Sequence, residues 1–202
     1  MKRLKLMIYM EPQVYMRVAS FDIGLKNMSL CVLDFNKKEF EIKKWTNLSL
    51  RGKNISDYTR DTIEKLRMLN FGCLDYVLIE QQVNRNTQMK VLSHVVQTFF
   101  ISDLKLPPTR VIFVSPKIRL DSSSLVHGTV VATVKQELGL QNEYSRKEFK
   151  KLSIAIAEKY LLSERHGYWY SFFVNEEKKD DYADSFVQAI SWNYSNSVMD
   201  ID

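Results

Sequence analysis

Residues 17–23, Arg-Val-Ala-Ser-Phe-Asp-Ile, constrain the fold more than any other stretch, because an acid stands inside what is otherwise the first core strand. Period-two alternation sends Val18, Ser20 and Asp22 to one face and Ala19, Phe21 and Ile23 to the other. An unpaired carboxylate in such a strand costs several kcal/mol. Asp22 therefore needs a partner, and the rest of the chain has to supply it.

A turn at 24–27 leads to a second strand at 29–35. Residues 36–38 form a turn into a third strand, 39–45, which has a polar face. These three strands read as an antiparallel meander. A helix follows near 56–69 with Ser56 as its N-cap. The run 75–80 is nearly all apolar, which suits a strand buried on both faces. Residues 86–103 read as a long helix with Met89, Leu92, Val96 and Phe99/Phe100 on one side. Residues 107–116 are a loop and a fifth strand.

The region 117–144 has no clean period and reads as an insertion. A helix over about 145–161 carries Phe149, Leu152, Ser153, Ile156 and Tyr160 on one face. An aromatic-rich loop follows, and a last helix runs from near Asp181 to about Tyr194. Residues 1–16 read as an N-terminal extension and 17–202 as a single domain. A meander followed by strand–helix alternation predicts an α/β fold, a mixed five-stranded sheet flanked by helices.

Composition narrows the classes of function. The chain has 202 residues, and Lys and Arg exceed Asp and Glu by 29 to 24, which permits a polyanionic partner without requiring one. Cys31 and Cys73 belong to no Cys/His cluster, which argues against structural zinc. They read as buried thiols of an intracellular, reducing compartment. No stretch has the length and apolarity of a signal peptide or a membrane span, so a secreted or membrane-bound protein is not expected.

Four acids recur at places where core meets solvent. Asp22 lies in the first strand, Glu80 ends the buried strand, and Asp181 and Asp184 lie three apart at the start of the last helix. Each has a bland reading: Asp180 is a natural N-cap, and first-turn acids suit the helix dipole. Convergence of all four would raise some of their pKa values unless a cation were present. Hard oxygen ligands favour Mg²⁺ or Mn²⁺ over zinc. Two such ions can serve both the attacking water and the leaving oxygen of an in-line phosphoryl displacement. Asp22 is then a metal ligand.

The segments Ser20–Asn27, Val77–Gln82 and Lys178–Phe186, in this order and at these separations, resemble the Holliday junction resolvases of poxviruses and other large DNA viruses. Those enzymes are relatives of bacterial RuvC within the ribonuclease H-like superfamily. Residues 144–153 and the strand 111–117 match the same pattern. The resemblance spans roughly residues 17–195 and implies a ribonuclease H-like fold. It implies a homodimer that binds four-way DNA and nicks two opposing strands symmetrically. In it Asp22, Glu80, Asp181 and Asp184 hold two Mg²⁺ ions, and a lysine from residues 147–151 enters the site. Lys150 borders the apolar face of its helix, whereas Lys147 and Lys151 point further toward solvent. Lys150 is favoured, with Lys151 next. Lys26, Arg85, Lys90, Lys117 and Lys147 are the expected phosphate contacts. A virus would use such an enzyme on replication or recombination intermediates, in the host cytoplasm or nucleus.

Other functions compete with this one. Another ribonuclease H-like nuclease, cutting RNA–DNA hybrids or flaps, would use the same acids. An actin-like ATPase would need a second glycine-rich phosphate loop, and the six glycines of the chain form no such cluster. A module that holds junctions without cutting would lack at least one acid, yet all four positions are filled.

Overall fold

The acid-bearing strand lies at the centre of the sheet. In the computed structural model, which describes residues 15–36, 39–82, 86–121, 124–140, 144–162 and 166–196, β1 (Met16–Asp22) pairs antiparallel with β2 (Asn27–Asn36). β2 pairs antiparallel with β3 (Glu39–Ser49). On the other side β1 pairs parallel with β4 (Tyr76–Glu80), and β4 pairs parallel with β5 (Val111–Val114). The strand order is β3-β2-β1-β4-β5. The mixed five-stranded sheet expected from the sequence is present.

Each face of the sheet is covered. One carries α1 (Ile55–Met68) and α2 (Thr87–Thr98), whose last turn widens into a π-helical stretch, Phe99–Asp103. On this side Ala19, Phe21, Val77 and Ile79 pack with Leu92, Val96 and Phe100, all fully buried. Each large apolar side chain buried this way contributes about 1.5–3 kcal/mol. The other face carries α3 (Leu125–Glu137), α4 (Arg146–Leu161), α5 (Gly167–Asn175) and α6 (Lys179–Asn196). Here Val18, Cys31, Leu33 and Leu78 meet Ile156, Phe173, Phe186 and Ile190.

α6 is pinned to the sheet by polar contacts as well as by packing. Ser185 and Ser29 share a hydroxyl hydrogen bond of 2.8 Å, and Gln188 donates to Ser20 Oγ at 3.0 Å. Small side chains on both surfaces let helix and sheet approach closely. Trp45 Nε1 donates to the Tyr182 carbonyl at 3.1 Å and fixes the first turns of α6 over β3.

Several elements differ from the sequence expectation. α1 is capped by Asn54, whose side chain accepts the Asp57 amide at 3.0 Å, and Ser56 lies inside the helix. Cys31 is buried, but Cys73 is exposed in the connection between α1 and β4. The region 117–144 contains a 3₁₀ turn, Pro116–Leu120, and the helix α3. The buried stripe of α3 is His127, Val131 and Val134. A histidine inside that stripe, and apolar Leu125 and Val126 left exposed, hide its period. The aromatic segment after α4 is the helix α5, not a loop: Phe173 stacks on Trp45 at 5.1 Å, and Trp169 and Phe172 pack around the same indole. α6 begins at Lys179, so Asp180 is a first-turn residue rather than the N-cap.

Candidate active site

The parallel pairing of β1 with β4 sets Phe21 opposite Ile79, so the strand-end residues Asp22 and Glu80 emerge at the same end of the sheet. Alternation sends both toward α6, the face shared by Ser20 and Leu78. Asp184, next to the pinned Ser185, reaches them from the second turn of α6. Asp22, Glu80 and Asp184 each present an oxygen within 4.8 Å of the others. At that distance, and an effective dielectric of about 20, each charged pair repels by roughly 3 kcal/mol.

The electrostatics follow from that crowding. Burial pushes the Asp22 carboxyl well above the usual range, and the charges of Glu80 and Asp184 push it further. A hydrogen bond with Glu80 acts the same way, and the nearby Arg119 opposes. Glu80 is also raised, chiefly by burial, against the pull of Arg119. Asp181 lines the same cavity but is not one of the three converging carboxylates; burial and then the neighbouring Asp180 raise it.

Arg119, in contact with two of these acids, was missed by sequence reasoning. It lies on the 3₁₀ turn after β5 and is 3% exposed. Its Nη2 donates to Glu80 Oε2 at 3.3 Å, and its Nη1 forms an ion pair with Asp184 Oδ1. The guanidinium lies over the Phe149 ring at 4.9 Å. One signal was available: β5 runs parallel to β4 with Val114 opposite Glu80, so a cation just past β5 falls at the acidic end of the sheet.

The cluster lies in a cavity of about 930 Å³. Of the basic residues named from the sequence, Lys26, Lys117 and Lys150 line it, and so do Arg146 and Lys178, which the sequence reading did not single out. Lys147 and Lys151 lie on the exposed side of α4, outside the cavity lining. Lys90, partly buried on α2, is also outside it. Arg85 lies outside the described residues. The Lys150 ammonium pairs with Asp180, and burial of Asp180 is outweighed by that contact, which keeps its carboxylate low.

His127 supports this arrangement from behind, through the backbone carbonyl of Arg119. Its ring is fully buried between the Tyr160 hydroxyl (2.9 Å from Nδ1) and the Arg119 carbonyl (3.1 Å from Nε2). Ser191 Oγ, which donates to the Val187 carbonyl, lies 2.8 Å from Nε2. A carbonyl only accepts, so Nε2 carries the proton and Nδ1 accepts from Tyr160. Burial lowers the histidine and raises the phenol, which keeps both neutral.

The donor set suits a hard divalent cation. Three carboxylates converge, and the buried Asp184 Oδ1 has a cationic group, the Arg119 guanidinium, against it already.

Comparison with known proteins gives a family and a fold. A family model described as Poxvirus A22 protein matches residues 16–163, well over half of the chain. The match ends before α6, so Asp181 and Asp184 lie beyond it. No curated protein sequence matches significantly. Among solved structures, the fowlpox virus resolvase in complex with substrate Holliday junction DNA is 19% identical, with a TM-score of 0.62 over 90% of this chain and 99% of that one. The yeast mitochondrial Holliday junction resolvase Ydc2 is 18% identical, with a TM-score of 0.55 over 92% of this chain and 82% of that one. At these identities the likeness is one of fold, the ribonuclease H-like fold of the resolvases.

Proposed function

The chain belongs to the poxvirus A22 protein family, and from that premise we propose that it is a divalent-metal-dependent endonuclease that resolves four-way DNA junctions. One observation carries the reading: Asp22, Glu80 and Asp184 converge at the floor of a cavity whose walls carry Lys26, Lys117, Arg146, Lys150 and Lys178. Acids at the floor suit metal ions, and cations on the walls suit a phosphate backbone.

The ions are Mg²⁺, with Mn²⁺ able to substitute. When bound, a pair of them supplies Lewis-acid activation of a water and of the leaving oxygen for in-line displacement. Asp22, Glu80 and Asp184 would hold them, and Asp181, which lines the same cavity, would be a fourth ligand. Lys150, steadied by Asp180, offers its ammonium to the charge that develops on the phosphate. Lys26, Lys117, Arg146 and Lys178 seat the strand without reading its sequence.

Paired nicks across a two-fold junction require a two-fold enzyme, so the active form is a homodimer. The substrate is viral DNA during replication or recombination, inside the host cell, in cytoplasm or nucleus. No helix among the described residues is long and apolar enough to cross a membrane.

The test is cleavage of a synthetic four-way junction labelled on each arm, with Mg²⁺ and with EDTA, beside plain duplex and an RNA–DNA hybrid. Paired, ligatable nicks on opposite strands, present only with the metal, are the expected result. Equal cutting of duplex or hybrid would overturn the junction reading.

A further inference from the structure

Arg119 is oriented for a task other than touching DNA. Its Nε donates to the Pro116 carbonyl at 3.2 Å, which turns the side chain back along its own 3₁₀ turn. The guanidinium is covered by Phe149 and is directed at Glu80 and Asp184. The His127 hydrogen bond to its backbone carbonyl holds the turn in register with α3 and α6. A buried, always-charged group of this kind is tolerated only with carboxylate partners, and its partners are two of the three converging acids.

We propose that Arg119 is the resident counter-cation of the carboxylate cluster, holding Glu80 and Asp184 together when no divalent ion is bound and opposing the ion's claim on the same two carboxylates. It is a positioning residue, and the proposal rests on the reading of the cluster as metal-holding. Without a metal, the guanidinium offsets the mutual repulsion of the acids. With a metal, much of that compensation is redundant. Arg119 thus keeps the site assembled between turnovers and limits how tightly it grips its ions.

The test is the melting temperature of the full chain in EDTA and in Mg²⁺, without DNA. Arg119→Gln keeps most of the side-chain volume and removes the charge. It should lower Tm in EDTA by at least about 5 °C, and Mg²⁺ should restore most of the loss. The Mg²⁺-dependent rise in Tm should therefore be larger than in the wild type, and Arg119→Lys should lose less in EDTA. An arginine that merely packs on Phe149 would cost the same Tm in both conditions, and that result would overturn the proposal. If Arg119→Gln folds in neither condition, the double variant Arg119→Gln/Asp184→Asn decides. Removing one acid with the cation should recover stability, and no recovery would overturn the proposal. No cleavage is measured, so a failure here is separate from a failure of the nuclease reading, which the junction assay reports.

Discussion

Lys150 and Asp180, thirty residues apart in sequence, form an ion pair at the edge of the acidic cavity, and the next residue, Asp181, lines that cavity. The pairing ties α4 to the first turn of α6 and separates Lys150 from its neighbour Lys151, which is exposed on the same helix. Lys150→Met should lower junction cleavage by about 10²–10³-fold while binding changes little, because one charge aimed at the developing negative charge is removed. Lys151→Met should stay close to wild type. Asp180→Asn, which a capping role would leave mild, should reduce cleavage, because Lys150 loses its anchor. Single-turnover cleavage and a gel-shift assay on the same junction measure both effects.

The raised Asp22 carboxyl gives the protein a pH signature. An acid whose pKa is higher in the folded state holds its proton more tightly there. Its contribution to metal-free stability is full below the unfolded value of about 4 and is lost as pH rises through the folded one. A divalent ion takes the place of that proton. The Mg²⁺-dependent rise in Tm should grow with pH, and cleavage should fall on acidification. In EDTA, Asp22→Asn should gain stability relative to the wild type as pH rises. Melting curves across the acid-to-alkaline range, with and without the metal, test this. A metal increment independent of pH would contradict it.

Gly24 opens the turn between β1 and β2, where a Cβ would collide with the backbone carbonyl of Asn27. The turn carries Lys26 along the cavity wall. Gly24→Ala must push the turn open, at a cost of about 1–3 kcal/mol, and should weaken junction binding more than an alanine elsewhere on the surface. Chemical denaturation and binding titrations measure the two effects.

Much of this site was legible in the sequence, and for a physical reason. Alternation places Asp22 on a defined face, an apolar run ending in Glu80 marks a parallel neighbour, and a three-residue spacing sets Asp181 and Asp184 on one side of a helix. Local periodicity carries that much. Arg119 was not legible, because it belongs to a single 3₁₀ turn with no period of its own, and its partners Glu80 and Asp184 are 39 and 65 positions away. α3 was hidden because its buried stripe includes His127, whose ring is satisfied by Tyr160, Ser191 and a carbonyl that only the fold brings together. α5 read as a loop because five of its nine positions are aromatic and fall on every side, so no face stood out until Trp45 supplied the surface it packs on.

The most direct measurement of the central claim is junction binding and junction cleavage by Asp184→Asn, side by side with the wild type in Mg²⁺. The substitution removes one carboxylate oxygen from the cluster and adds no bulk. Cleavage should fall by at least about a hundredfold, the upper end of the loss seen when even an outer partner of a metal ligand is removed, while affinity for the four-way junction stays within a few-fold. Retained cleavage would contradict the claim that this cluster holds the catalytic metal, and loss of binding together with cleavage would mean that Asp184 serves the fold instead.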